Sequence, residues 1–190
     1  MNIVLASGSP RRRELLEMLG VKNLVIMPAR GEEIVPSNTE PGEIVEILAE
    51  AKAREVSELW TENDVVIAAD TIVWIDGTLL GKPHSRTDAE KMLSKLSGRT
   101  HEVYTGVCVI HGGKIVTEHE RTLVSFRELS KEEINSYIET GEPMDKAGAY
   151  AAQGKGALFV NHLDGDFFNV MGLPVCRLGE ILKNNGVDII

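Results

Sequence analysis

The chain has 190 residues, of which 43% are hydrophobic and 26% charged, with a net charge of −9 at pH 7. These proportions are those of a soluble globular protein with an ample core, arranged as one domain or two closely joined lobes. The negative charge argues against nucleic acid as the main partner, because duplex binding needs a broad basic face. No stretch approaches the roughly 18 consecutive apolar residues of a membrane-spanning helix, which argues against a membrane partner.

A short strand and a helix with a basic first turn open the chain. Residues 1–6 are apolar and β-branched enough for a strand, and Ser9 and Pro10 suit the N-cap and first position of a helix. Three arginines at positions 11–13 follow, at the helix end where the dipole favours acidic residues. Backbone N–H groups combined with arginines form a site for an anion such as phosphate.

These arginines point in different directions. The apolar residues of the helix define its buried arc: Leu15, Leu16, Met18 and Leu19. Arg11 and Arg12 fall roughly within 60° of the centre of that arc, whereas Arg13 points well away from it. Of the three, we expect Arg12 to turn inward toward a cleft. The alternative is a solvated basic helix end that pairs with Glu14 and Glu17.

Strand and helix patterns alternate along the rest of the chain, with a predicted hairpin turn at Asp76-Gly77 and a capping box at Ser130 and Glu133. Strands are predicted over residues 23–27, 64–74, 101–110, 114–126 and 157–163, and helices over 43–60, 87–96 (with Thr87 as N-cap), 131–140 and 174–183. The helix over 43–60 has an apolar face of Ile44, Ile47, Leu48 and Ala51. Lys52 lies in or beside this face, either extending off the core edge or reaching a phosphate.

Asp70 ends a continuous apolar run that starts at Asp64, and Thr71 follows it. Such a run predicts a strand buried on both faces. In open α/β sheets, ligands gather beyond the carboxyl ends of these strands, so Asp70 is placed to hold a metal or activate water. An acidic turn residue is the alternative. Lys82 lies in a constrained Gly-Lys-Pro loop, which suits a phosphate contact.

The remaining motifs narrow the reaction class. The chain contains no P-loop and no G-x-S-x-G elbow, and its five histidines show no paired-ligand spacing. Cys108 and Cys176 lie in apolar surroundings, and both are predicted to be buried and reduced. Cations that hold phosphates, combined with the acidic candidates Glu33, Asp70 and Asp145, are typical of metal-assisted phosphoanhydride hydrolysis.

Seven blocks of the sequence resemble the signature blocks of the Maf family, in the same order and over nearly the whole chain. They are Ser7-Gly8-Ser9-Pro10-Arg11-Arg12, Ala68-Ala69-Asp70-Thr71, Gly81-Lys82-Pro83, Ser97-Gly98-Arg99-Thr100-His101, Tyr104-Thr105-Gly106-Val107, Asp145-Lys146-Ala147-Gly148-Ala149-Tyr150 and Asn169-Val170-Met171-Gly172-Leu173-Pro174.

The resemblance implies a nucleoside triphosphate pyrophosphatase that releases a nucleoside monophosphate and pyrophosphate. It implies a two-lobed α/β fold around a long mixed twisted sheet flanked by helices, similar to inosine triphosphate pyrophosphatases. Residues 1–190 would form a single domain with a central substrate cleft, often as a homodimer. The divalent metal would be Mg²⁺, with Mn²⁺ or Co²⁺ as alternatives. We expect a cytoplasmic location, because no basic leader precedes the first strand.

The resemblance also assigns roles. Arg12, Thr71 and Gln153 match the positions that select dTTP and UTP in one branch of the family, and Asp70 matches the catalytic carboxylate. The metal falls to Asp70 and Glu33, with Glu32 as the alternative to Glu33. Lys52 and Lys82 match the family's phosphate positions. We also expect Ser9 and Arg13, at the basic start of the first helix, to bind phosphate. At Asp166-Phe167-Phe168 the chain departs from the family pattern, which adds a charge near the expected cleft.

A regulatory protein is the rival interpretation. The family's link to septum formation suggests a nucleotide sensor that acts mainly by binding a partner. The presence of both Asp70 and Lys82 argues against this, because a sensor does not need the catalytic groups.

Overall fold

The computed structural model describes residues 1–32, 34–35 and 37–189. Its strands are β1 (Ile3–Leu5), β2 (Leu24–Ile26), β3 (Val65–Ile75), β4 (Thr78–Leu80), β5 (Thr100–His111), β6 (Lys114–Phe126) and β7 (Val160–Asp164). Its α-helices are α1 (Pro10–Met18), α2 (Pro41–Ser57), α3 (Arg86–Leu96), α4 (Lys131–Glu139), α5 (Phe167–Met171) and α6 (Val175–Asn184). Short 3₁₀ turns cover Glu142–Asp145, Ala147–Ala149 and Lys155–Phe159.

The strands form one mixed sheet in the order β2-β1-β3-β5-β6-β7, with β4 paired to β3. Strand β1 runs parallel to both neighbours, so that Leu5 lies opposite Ile26 on one side and Ile67 on the other. Strands β4 and β7 are antiparallel to β3 and β6. The predicted mixed α/β fold is confirmed. Among the described residues, no helix is long and apolar enough to cross a membrane.

The chain divides into two compact units. The first contains the described residues of Met1–Asp70, Thr105–Glu120 and Gly172–Ile190, and the second contains Thr71–Tyr104 and Arg121–Met171. The predicted arrangement of two lobes around a central cleft stays a prediction.

In the first unit, helix α2 packs closely on the sheet. Its small residues Ala49 and Ala53 are fully buried in a cluster with Val66 of β3 and Cys108 of β5. At Gly106, a Cβ atom would lie 2.2 Å from the carbonyl oxygen of Val45 in α2. A residue without a side chain is therefore required where the helix crosses β5.

In the second unit, helices α3 and α4 cover the core. Leu93 and Leu96 of α3 pack with Val103 and Val124 of the sheet. An aromatic cluster extends this core, with mostly edge-to-face contacts between the rings. Its members are His101, Phe126, Tyr137, Tyr150 and Phe159.

Several predicted details are wrong. Helix α2 spans Pro41–Ser57, and its buried face contains Val45 and Ala49, whereas Ile47 and Ala51 are exposed. The apolar stripe of the helix is wide enough for the buried face to be centred in more than one direction. Packing on the sheet selects the face that includes Val45. Lys52 lies within this buried arc, which is one of the two placements that the sequence predicts.

Two boundaries and one burial prediction also change. Ser85, not Thr87, caps α3, because its Oγ accepts a hydrogen bond from the Asp88 N–H at 3.1 Å. Strand β7 starts at Val160, since the residues before it form a 3₁₀ turn. Cys108 is buried but Cys176 is exposed, because α6 turns Leu178, Ile181 and Leu182 inward instead.

Candidate active site

The N-terminus of α1 has the backbone expected of an anion site. Ser9 takes the N-cap position with Pro10 at the first helical turn, and no acidic residue lies in that turn. The Ser9 side chain makes no capping hydrogen bond. The Ser7 hydroxyl instead accepts a bond from the Ser9 N–H at 3.2 Å. The Ser9 hydroxyl is thus not engaged in capping α1, which suits its predicted role on a phosphate.

Arg12 turns toward the protein, as its helical position predicts. Its Nε donates to the Gly172 carbonyl at 2.7 Å, and its Nη1 donates to the Ser7 hydroxyl at 3.0 Å. These bonds fix the guanidinium between the β1–α1 loop and the segment before α6. A guanidinium carries five N–H donors in a rigid planar fork, which suits carboxylate and phosphate groups.

Arg13 lies on the outer surface. Its Nε is 2.7 Å from Glu17 Oε1, one helical turn away, and 58% of its side chain is exposed. The hydrogen bond and charge of Glu17 raise the pKa of Arg13 above its ordinary value. The partner of Arg13 is therefore a residue of its own helix, and its assignment to phosphate stays a prediction.

Asp70 and Lys52 form an ion pair in the first unit. Lys52 Nζ lies 2.5 Å from Asp70 Oδ1, and the two side chains are 18% and 10% exposed. The apolar run ends at Asp70, but strand β3 continues to Ile75, close to the predicted end at residue 74. Its partner β1 ends at Leu5, opposite Ile67. Asp70 therefore still lies beyond the carboxyl end of a parallel neighbour, where α/β sheets bind ligands.

A cavity of about 300 Å³ lies beside Lys52. Lys52 and Glu32 are among its lining residues, together with Ile47 and Ala51 of α2. The Glu55 carboxylate accepts hydrogen bonds from the N–H groups of Arg30 and Gly31 at 2.7 and 2.9 Å, and these bonds lower its pKa. Glu55 thus anchors the backbone at Arg30 and Gly31, next to Glu32. Sequence reasoning missed it, because its partners are backbone groups.

The predicted metal ligand Glu33 lies outside the described residues. Within the described ranges, no group of three or more His, Cys, Asp or Glu side chains could hold a metal ion. Asp70 and Glu32 are described, and both supply the hard oxygen ligands that Mg²⁺ prefers; Asp70 is 7% exposed.

The remaining predicted site residues belong to the second unit. Thr71 follows Asp70 on β3 and is half-buried, while Lys82 and Gln153 are exposed on loops. The Gly148 N–H donates to the Gly81 carbonyl at 3.0 Å, which joins the Lys82 loop to the segment before Gln153. Gly148 has φ = +66°, and a Cβ there would lie 2.8 Å from Val73, so glycine is required.

Asp166, where the chain departs from the family pattern, has a local structural role. Its Oδ1 accepts a hydrogen bond from the Phe168 N–H at 2.7 Å, at the start of α5. Its backbone N–H donates to the Thr122 hydroxyl at 3.1 Å. The extra carboxylate thus contributes to the start of a short helix that the sequence analysis did not predict.

A model of the family described as Maf-like protein matches residues 2–185 of the chain. The chain belongs to the Maf family. A Maf relative from Bacillus anthracis, named dTTP/UTP pyrophosphatase, is 49% identical over 187 residues, which cover 98% of this chain and 97% of the relative. A protein of the same name from Bacillus cereus strain ZK / E33L matches with the same identity and coverage.

Solved structures with this Maf fold carry a different name. A HAM1 protein from Coxiella burnetii superimposes with a TM-score of 0.54 at 18% identity, covering 97% of this chain and 99% of that one. The Ham1 protein of Staphylococcus aureus gives a TM-score of 0.52 at 15% identity, covering 97% and 100%. These likenesses show that Maf and Ham1 chains share a fold.

Proposed function

We propose that this Maf protein hydrolyses dTTP and UTP to the nucleoside monophosphate and pyrophosphate. The observation that carries the proposal is the Lys52–Asp70 pair, which places an ammonium group and a carboxylate beyond the carboxyl end of β1. A cation beside a carboxylate suits a reaction in which water attacks a phosphate. The names of the Bacillus relatives support the choice of dTTP and UTP.

In the proposed reaction, Asp70 orients a water molecule toward the α-phosphorus and accepts a proton from it. A bond forms between the water oxygen and the α-phosphorus as the bond to the bridging α–β oxygen breaks, and pyrophosphate leaves with the electron pair. Lys52 neutralises charge on the phosphates. Preorganised groups of this kind typically contribute about 10²–10⁴-fold to a rate.

The metal in this proposal is Mg²⁺, with Mn²⁺ or Co²⁺ as alternatives. Asp70 and Glu33 would hold it, with Glu32 as the alternative to Glu33. The described donor fits, because Mg²⁺ in nucleotide enzymes is held by one or two carboxylates and by the substrate phosphates. When bound, the ion would neutralise and align the phosphate oxygens.

The other predicted site residues are assigned to two parts of the substrate, the phosphates and the base. Ser9, Arg13 and Lys82 are proposed to bind phosphates, and Arg12, Thr71 and Gln153 to select the base. A cytoplasmic location and a homodimer complete the proposal. Light scattering during size-exclusion chromatography measures the oligomeric state directly.

A panel of nucleoside triphosphates tests the proposed function. The protein is incubated with each nucleotide and Mg²⁺, and pyrophosphate release is measured. We expect fast release from dTTP and UTP, and loss of about 10²–10⁴-fold in Asp70→Asn. Asp164→Asn, which changes an exposed carboxylate at the end of β7, is the matched control and should retain activity. Release from no nucleotide would favour a sensor, and an unchanged rate in Asp70→Asn would remove Asp70 from the chemistry.

A further inference from the structure

Gln153 lies in a tight turn whose backbone is hydrogen-bonded both before and after this residue. The Gly154 N–H donates to the Ala151 carbonyl at 3.1 Å and closes a four-residue turn with Gln153 at its third position. We call residues Ala151–Gly156 the Gln153 turn.

Two side chains outside the turn bind its backbone. The Tyr137 hydroxyl accepts a hydrogen bond from the Ala151 N–H at 3.1 Å and donates to Glu142 Oε1 at 2.8 Å. Glu142 Oε1 also accepts from the Gly156 N–H, and Oε2 accepts from the Lys155 N–H, both at 3.1 Å. One phenol and one carboxylate thus hold three backbone N–H groups, one before Gln153 and two after it.

Two glycines allow the backbone of the Gln153 turn to approach the Glu142 and Tyr137 side chains closely. A Cβ at Gly154 would lie 2.4 Å from Glu142 Oε1. A Cβ at Gly156 would lie 2.9 Å from the Tyr137 hydroxyl and 2.8 Å from the Ala151 carbonyl oxygen. Because real Cβ atoms do not approach other atoms this closely, the backbone can wrap the carboxylate and phenol only with glycine at both positions.

The Tyr137 and Glu142 side chains, which bind the turn, are themselves held in place. Tyr137 on α4 is 4% exposed, and its ring centroid is 4.9 Å from that of Phe159. Burial acts to raise the pKa of Glu142, but the hydrogen bonds from Lys155, Gly156 and Tyr137 outweigh it, so the pKa lies below its ordinary value. The carboxylate is therefore ionised at neutral pH, and charge-assisted bonds to backbone N–H groups are the stronger kind.

We propose that Tyr137 and Glu142 are positioning residues for base selection, acting through the Gln153 turn. The inference rests on the proposed function, in which Gln153 contacts the base. Thymine and uracil present O4 as an acceptor, whereas cytosine presents its N4 amino group as a donor. A glutamine amide carries both a donor and an acceptor, and which of them faces the base depends on the direction from which the side chain approaches. A fixed backbone in the Gln153 turn sets that direction and so favours one of the two bases.

The test compares selectivity with and without Gln153. The ratio of kcat/KM for dTTP to that for dCTP is measured in the full chain for wild type, Tyr137→Phe, Glu142→Gln, Gln153→Ala, and each of the first two combined with Gln153→Ala. Tyr137→Phe removes only the hydroxyl and keeps the packing on Phe159. Glu139→Gln, an exposed change on the same helix, is the control. Backbone hydrogen exchange at the Gln153 turn is measured in parallel.

We expect Tyr137→Phe and Glu142→Gln each to lower the ratio by about 2–10-fold, the equivalent of one hydrogen bond, and to speed exchange in the turn. In the Gln153→Ala background the same changes should leave the ratio unaltered, because the group being positioned is absent. Faster exchange with an unchanged ratio would overturn the inference, as would an equal drop in the Gln153→Ala background. Absence of pyrophosphate release in wild type would instead overturn the proposed function, and the exchange rates would still report whether the turn is held.

Discussion

At the scale of single residues, the Lys52–Asp70 pair is expected to contribute both to the stability of the fold and to the proposed hydrolysis. We predict that Lys52→Met lowers kcat/KM for dTTP by about 10²–10³-fold, because phosphate charge is no longer neutralised. It also leaves a nearly buried carboxylate without its ammonium partner. Since both side chains keep some exposure, we expect the free energy of unfolding to fall by about 1–3 kcal/mol, less than for a fully buried pair. Urea unfolding and pyrophosphate assays measure the two effects.

A double variant separates these effects. Lys52→Met combined with Asp70→Asn removes both charges, so the free energy of unfolding should recover while activity stays low. Lys91→Met, an exposed lysine on α3, is the control for loss of one positive charge. Full activity in Lys52→Met would contradict the role given to the lysine.

The burial of His101 predicts that the free energy of unfolding depends on pH. Its ring is 1% exposed, its Nε2 lies 2.9 Å from the Tyr150 hydroxyl, and burial lowers its pKa to about 4. In the unfolded chain a histidine has a pKa near 6.5, so between about pH 6.5 and 4 the unfolded state binds a proton that the folded state does not. The free energy of unfolding is therefore unaffected above pH 6.5 and falls as the pH drops toward 4.

Comparison with His101→Phe isolates this effect from that of the carboxylates. Between pH 7 and 4.5, wild type should lose about 2–3 kcal/mol more than His101→Phe in urea unfolding. The constant cost of losing the bond to Tyr150 cancels in this difference. Equal losses in the two proteins would show that His101 titrates normally in the folded chain.

At the scale of elements, the packing of α2 on β5 depends on one glycine. In Gly106→Ala, the new methyl group would meet the backbone of Val45 at 2.2–2.4 Å, and a helix backbone cannot move as a side-chain end can. We predict a loss of about 3 kcal/mol or more in the free energy of unfolding. Gly179→Ala on α6 is the matched control. Among the described residues, no atom beyond its chain neighbours and its own helix backbone lies within 4 Å of the new Cβ, so we expect the free energy of unfolding to rise by about 0.5–1 kcal/mol. A neutral Gly106→Ala would show that α2 can shift.

Short sequence motifs, such as capping boxes and turn residues, predicted the helices and strands that begin or end at them. The capping box at Ser130 and Glu133 predicts α4, and both of its hydrogen bonds are present. The Asp76-Gly77 turn before β4 is present with positive φ at both residues. Helix α5 was missed because it has five residues and no clear periodicity. Where two capping residues stand close together, as at Ser85 and Thr87, only the packed helix selects between them.

The candidate site was predictable only in part. The inward direction of Arg12 follows from helical geometry, since neighbouring leucines fix the buried face. Lys52 stayed ambiguous in sequence because the partner that turns it inward, Asp70, lies on a strand 18 residues away. The roles of Glu55 and Glu142 were not predictable, because their partners are backbone N–H groups, which every residue type supplies.

At the scale of the whole molecule, the net charge of −9 bears on metal dependence. A nucleoside triphosphate is itself strongly anionic, so we predict that it binds well only together with Mg²⁺. An analogue of dTTP with an imido group between the α- and β-phosphates avoids turnover. At 100 times its dissociation constant, a ligand stabilises a folded protein by about 2.7 kcal/mol. We expect a matching rise in Tm with analogue and Mg²⁺, and a much smaller rise in EDTA. Equal rises would contradict the metal's proposed role in binding.

The central claim is that water attacks the α-phosphorus of dTTP. Hydrolysis in H₂¹⁸O, followed by mass spectrometry of the products, tests it most directly. We predict one ¹⁸O atom in dTMP and none in pyrophosphate. Label in the pyrophosphate, or release of phosphate with dTDP, would contradict the account.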